Sequence, residues 1–282
     1  MENLETRTIV HGEVVRLSRL VRRVTAPNPG MMTGPGTNSY IVGTTTLALI
    51  DPGPESKAHL DAMLGAVGNR LRWILCTHTH ADHSPGARAL KAATGAEVIG
   101  MRAPSDGRQD TDFAPDRVFK HGDVLSGGGF TLRAVHTPGH ASNHLCFLLR
   151  RGKWLFTGDH VMQGSTVVIS PPDGDMIAYL KSLAMLLELD ISRIAPGHGH
   201  PIEQPHDEVR RLIAHRLKRE QKVVDAFAVN NPATIDELVV IVYSDTPQRL
   251  HQAARRSLHA HLIKLEREGR VWQQGQRWKL RV

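Results

Sequence analysis

The sequence predicts a mixed α/β domain of about two hundred residues joined to a short, basic, helix-rich module. Three observations support this. Up to His206 the chain shows many short strand-like apolar runs and only a few stretches with the 3.6-residue period of a helix. After the Pro201–Pro205 stretch the texture changes to long helix-forming runs. The charge changes at the same place: 20 Lys+Arg stand against 19 Asp+Glu through His206, net +1, and 15 against 9 from Asp207 on, net +6. The domains expected are therefore residues 1–206 and 207–282.

With 282 residues, the chain can bury a core without disulfides. Its 40% hydrophobic and 22% charged residues, 25 Gly and 16 Pro exclude collagen-like, coiled-coil or largely disordered character. No apolar run approaches the ~20 residues of a membrane span. Acids and bases interrupt the apolar positions of the first twenty residues, so no secretory or transit peptide is read there, and a cytoplasmic location is expected. Cys76 and Cys146 each lie in an apolar stretch, WILC and LCFLL, and are expected free and buried.

Strands are predicted at 14–20, 39–42, 47–50, 73–76, 97–99 and 130–135, with a hairpin 145–149/154–156 turning through Arg150-Arg151-Gly152-Lys153. Helical periodicity marks 56–67, 85–93 and 176–187. In the second part a helix over 207–227 ends at Asn230-Asn231-Pro232. Thr234-Ile235-Asp236-Glu237 has the spacing of a capping box and opens a short helix ending near Tyr243. A third helix covers 247–268, and two short strands follow around Gln274-Gly275. Three helices and then a β-hairpin is the element order of a winged helix.

The strongest chemical signal is Thr77-His78-Thr79-His80-Ala81-Asp82-His83, directly after a predicted strand. In an extended segment His78 and His80 point the same way and can grip one ion, while Asp82 and His83 fall beyond them and could reach a second. Two ions need further ligands. His140 in Pro138-Gly139-His140, Asp159 in Gly158-Asp159 and His198 in Pro196-Gly197-His198 each follow a predicted strand and a glycine, which permits a sharp turn and close backbone approach. His136, His144 and His160 lie near these positions without filling a ligand slot, and Asp51 reads either as support for a ligand or as a turn residue.

The set HxHxDH followed by a separate His, Asp and His resembles the metallo-β-lactamase superfamily over roughly residues 14–206, including Ile50-Asp51-Pro52-Gly53. The resemblance implies a four-layer αββα sandwich with a dinuclear site at one edge. It further implies that His78, His80 and His140 hold one metal, that Asp82, His83 and His198 hold the other, and that Asp159 bridges them. Two such ions would activate a shared water as the nucleophile, lowering its pKa towards ~7, with Asp82 also orienting the resulting hydroxide. Zinc is the expected ion; iron or manganese would suit the same donors.

Such a core serves several ester classes, so the substrate must come from the rest of the chain. The 159–198 interval is too short for the inserted domain of β-CASP nucleases. Gly36-Thr37-Asn38-Ser39-Tyr40, the 77–86 segment and the module from Thr234 on are similar to β-lactamase-like endoribonucleases with a C-terminal winged helix. That resemblance implies a phosphodiesterase acting on single-stranded RNA. Arg255, Arg256, His259, Lys264, Arg277, Lys279 and Arg281 would contact phosphates, and Trp272 and Trp278 would stack bases. The same residues would equally serve as a solvated face over a tryptophan core. The competing expectation is a glyoxalase II-like thioesterase or lactonase taking a small anionic ester or thioester. The irregular 27–36 loop, with Met31 and Met32, offers adaptable apolar contact to either substrate or is a structural turn. A homodimer is compatible with the sequence.

Overall fold

The computed structural model describes residues 8–281. Two compact units emerge from its internal packing: one formed by the described residues through Thr137 with Asn143–Ser165 and Leu189–His206, the other by Pro138–Ser142, Thr166–Glu188 and the residues from Asp207 on.

In the first unit β1 (Val15–Arg16), β2 (Val21–Thr25), β3 (Asn38–Gly43) and β4 (Leu47–Ile50) run antiparallel. Helices α1 (Lys57–Val67) and α2 (Gly86–Thr94) then supply the crossovers for the parallel pairs β4/β5 (Leu71–Leu75) and β5/β6 (Glu97–Gly100), and the irregular 101–116 segment leads to β7 (Arg117–Val118), parallel to β6. These seven strands form one sheet in chain order. A second sheet has the order β12-β11-β10-β9-β8, built from β8 (Val124–Gly127), β9 (Phe130–His136), β10 (Leu145–Leu149), β11 (Trp154–Gly158) and β12 (Arg193–Pro196).

The period-two geometry of strands explains the wholly apolar runs seen in the sequence. Tyr40, Val42, Ala48 and Ile50 pack with Leu132, Ala134, Phe147 and Phe156 of the other sheet. Their neighbours Ile41, Leu47 and Leu49 pack with Met63, Val67 and Leu90 of the two helices. Both faces of the central strands are buried, so no polar alternation remains. Of the predicted strand at 14–20 only Val15–Arg16 is strand: Leu17 and Ser18 turn back on Val21, where β2 begins, with Ser18 Oγ accepting from the amides of Leu20 and Val21.

The second unit contains α3 (Met176–Leu186), α4 (Pro205–Val229), α5 (Ile235–Val242), α6 (His251–Arg267) and a small sheet, β13-β15-β14, made of β13 (Ala233–Thr234), β14 (Val271–Gln274) and β15 (Arg277–Leu280). The capping box is present: Thr234 Oγ1 accepts from Glu237 N at 3.2 Å and Glu237 Oε2 accepts from Thr234 N at 2.7 Å. Phe227, Leu238, Val242, Leu258, Leu262 and Trp278 share one core. Among the described residues no helix is long and apolar enough to cross a membrane.

Candidate metal centre

The segment from Thr77 to Pro85 leaves β5 at the end of the first sheet and is held from below by Asp51 at the end of β4. Asp51 adopts φ 53°, a left-handed conformation that aspartate tolerates better than most residues. Its Oδ1 accepts from Thr77 N at 2.7 Å, and its Oδ2 accepts from Thr77 Oγ1 at 2.8 Å and lies 2.9 Å from His83 Nδ1. Thr77 Oγ1 in turn lies 3.0 Å from His78 Nδ1. One carboxylate thus orients His83 directly and His78 through a hydroxyl, which is how supporting shells fix imidazole ligands.

Asp82, His83, Asp159 and His198 bring one ligand-type atom each within 4.8 Å of one another. His83 Nε2 stands 3.5 Å from Asp82 Oδ2 and 3.3 Å from Asp159 Oδ1; His198 Nε2 stands 3.3 Å and 3.2 Å from the same two oxygens. The strands explain the convergence: Asp159 follows β11, His198 follows β12, and these two strands are adjacent and parallel. Thr37 bridges to His198, whose Nδ1 lies 3.2 Å from the carbonyl of Gly36. His78 Nε2 and His80 Nδ1 are 2.9 Å apart, and the His78 and His83 rings are 4.2 Å apart between centroids.

Nε2 of His83 and of His198 is enclosed by protein without making a hydrogen bond, although the carboxylates face both. Burial alone would lower the basicity of His83 and raise that of the Asp159 carboxyl. Mutual attraction reverses both: the carboxylates of Asp82, Asp159 and Asp51 hold His83 well above the usual imidazole range, and His198 and His83 hold Asp159 well below the usual carboxylate range. His198 is raised to about 9 against its own burial by Asp159 and Asp82. His78 is lowered, by burial first and then by the neighbouring His83, His80 and His144 rings. Buried charges of this kind are tolerated when paired or when they coordinate a metal, and two imidazole nitrogens with two carboxylate oxygens suit zinc, iron or manganese.

His140 belongs to the second unit, on the Pro138–Ser142 segment. Its Nδ1 lies 2.8 Å from the carbonyl of Val168. Gly139 before it has φ 142°, and a Cβ there would lie 2.3 Å from the backbone of Tyr179 on α3. Close approach is equally strict at Gly197, where a Cβ would meet Asp159 Oδ1 at 2.8 Å and His83 Cε1 at 2.9 Å. Gly197→Ala is accordingly expected to reduce bound metal about tenfold or more by displacing Asp159 and His83; metal analysis of the purified variant checks it.

The three additional histidines separate clearly. His144 is buried with its Nδ1 2.8 Å from Thr137 Oγ1 and its ring 5.1 Å from that of His78. His160 is buried 5.8 Å from the His144 ring, and His136 is half-buried on β9. Sequence reasoning missed Thr77 and Gln109. Both are buried, and Gln109 Nε2 lies 3.2 Å from His80 Nε2. Thr77 stands inside the motif, but Gln109 comes from an irregular loop with no periodic signal.

Fold, ligand geometry and sequence together define a metallohydrolase class. The metallo-β-lactamase superfamily model matches residues 32–198, and a β-lactamase-associated winged-helix model matches residues 234–278. The chain belongs to the metallo-β-lactamase superfamily and is a metal-dependent hydrolase. It is 34% identical over 273 residues to the β-lactamase-like protein 2 homolog of Drosophila melanogaster, covering 92% of this chain and 91% of that one. It is 32% identical over 254 residues to the atrochrysone carboxyl ACP thioesterase of Aspergillus fumigatus, covering 83% and 77%. Among solved structures, a β-lactamase domain protein from Burkholderia ambifaria superposes with a TM-score of 0.84 at 19% identity, covering 98% and 96%, a likeness of fold.

Proposed function

We propose that the chain hydrolyses an acyl thioester carried by an anionic thiol of the glutathione or coenzyme A kind. His78 and His80 would hold one divalent ion and Asp82, His83, Asp159 and His198 the other, with zinc the first choice and iron or manganese the alternatives. Ions bound there supply Lewis acidity and a bound water of lowered pKa. Asp82, whose side chain is 26% exposed against 13% for Asp159, 5% for His198 and 0% for His83, is the residue of this group best placed to accept a proton from an incoming water. A reducing, cytoplasmic setting agrees with Cys76 and Cys146, both free and buried.

The observation that carries this reading is where the charges and aromatics of the C-terminal module go. Trp278, expected to stack bases, is 1% exposed in the core. Arg255 pairs with Asp236, Lys264 with Glu220 and Glu268, and Arg277 with Glu237. Four of the nine residues named for RNA contact are thus core or ion-paired, while Arg256, Lys279 and Arg281 are exposed, and the Aspergillus relative is named for thioester hydrolysis. The second reading, cleavage of single-stranded RNA, keeps one observation in its favour: the net +6 of residues 207–282.

A fluorescent single-stranded RNA, an acyl thioester and a lactone, each assayed with wild type and His80→Ala prepared in parallel, separate the readings. Thioester turnover that is lost by at least about a hundredfold in His80→Ala and is flat in salt supports the proposal. RNA cleavage that depends on His80 and falls steeply with salt replaces it with the second reading.

A further inference from the structure

His80 is reached on its far side by a hydrogen-bond chain that runs through Gln109. Asn143 Nδ2 donates to Thr79 Oγ1 at 2.6 Å, and Thr79 Oγ1 donates to Gln109 Oε1 at 2.8 Å. Gln109 Nε2 lies 3.2 Å from His80 Nε2, and His80 Nδ1 lies 2.9 Å from His78 Nε2. Beyond His78 the chain continues through Thr77 Oγ1 to Asp51 Oδ2.

A histidine that ligates through Nδ1 carries its proton on Nε2, the atom of His80 that faces the Gln109 amide. A carboxamide can meet that ring in either sense, since it presents a donor and an acceptor of nearly the same shape. The loop that bears it is stitched to the same motif, with Asp110 N donating to Thr79 O at 2.6 Å and Ser84 Oγ to Asp110 Oδ2 at 2.8 Å.

We propose that Gln109 is the positioning residue of the first metal group, its side-chain amide holding the His80 ring by Nε2 so that Nδ1 is left to ligate. The inference rests on His80 being a ligand and is independent of the substrate class. It predicts opposite results for two substitutions of similar size. Gln109→Met removes both hydrogen-bonding groups and should weaken zinc binding at this group by about 10- to 100-fold. Gln109→Glu supplies an oxygen acceptor only, matches the ion-bound arrangement, and should bind zinc at least as tightly as wild type.

The experiment is chelator-competition titration of the full chain with zinc for wild type, Gln109→Met, Gln109→Glu and His80→Ala, with the imidazole 15N signals of the loaded protein reporting the tautomer. Tight binding in Gln109→Glu beside weak binding in Gln109→Met, with His80 protonated at Nε2, is the expected result. Equal affinities for Gln109→Met and wild type, or a Gln109→Glu protein as weak as Gln109→Met, overturn the inference. Undiminished zinc binding in His80→Ala would instead remove the ligand assignment beneath it.

Discussion

Replacing Asp51 by asparagine is expected to leave the protein folded while lowering bound metal by more than about tenfold and hydrolysis by at least about a hundredfold. Asparagine tolerates the left-handed backbone that Asp51 adopts, and its carbonyl can still accept from Thr77 N. Its NH2 group, however, would face His83 Nδ1 and Thr77 Oγ1, the two atoms now 2.9 Å and 2.8 Å from Asp51 Oδ2. His83 would then be driven to carry its proton on Nε2, the atom that faces Asp82 and Asp159. Through Thr77 the fault also reaches His78, so both ligand groups lose an oriented imidazole. Asp51→Ala differs in kind: it removes the acceptor of the buried Thr77 amide and of His83 Nδ1, which costs about 3–5 kcal/mol of stability as well. Metal analysis with thermal melts of the two variants separates these effects. Wild-type metal content in Asp51→Asn would show that the carboxylate supports the backbone turn alone.

The contrast between Asp51 and Gln109 explains what a sequence of this kind reveals. The seven ligand-type residues follow strands, and three of them, His140, Asp159 and His198, come directly after a glycine, so period-two geometry and the need for close approach announce them. Gly197, whose added Cβ would collide with Asp159 and His83, illustrates why that glycine accompanies its ligand. Asp51 stood in a recognisable strand-end motif but could equally have been a turn residue, because nothing local tells whether a carboxylate meets a histidine thirty residues on. Gln109 and Asn143 belong to a polar network assembled between distant loops, and such contacts have no period to read. The basic module shows the opposite failure. Arg277 and Lys279 share the exposed side of β15 as expected, but inward placement of Trp278 makes it core, and Asp236 and Glu220, which pair with Arg255 and Lys264, come from α5 and α4, distant in sequence. Net charge could not reveal which charges were already engaged.

Acid is expected to destabilise the fold through a histidine outside the ligand set. His59 on α1 is buried; its Nε2 lies 2.8 Å from Ser39 Oγ, which itself donates to the Asp51 carbonyl at 2.5 Å. Since that hydroxyl proton is committed, His59 must donate from Nε2 and keep its lone pair on Nδ1, which is buried without a partner. Protonation would bury a charge there, and burial accordingly lowers its pKa to about 4 from 6.5. Between these values the unfolded chain binds a proton that the folded chain refuses, so stability rises with pH across this window. His59 thus penalises unfolding least in acid: its contribution is fully present above pH 6.5 and is lost as pH falls towards 4, a change of about 3 kcal/mol at ~1.4 kcal/mol per pKa unit. Because the ligand histidines and carboxylates also titrate, the informative quantity is the difference between wild type and His59→Gln, whose amide can still donate to Ser39. Denaturant melts at pH 7.5, 6 and 4.5 should show wild type losing more stability than the variant by about 2–3 kcal/mol over this range. Parallel losses in the two proteins would mean that His59 accepts a proton in the folded state, which the enclosure of Nδ1 argues against.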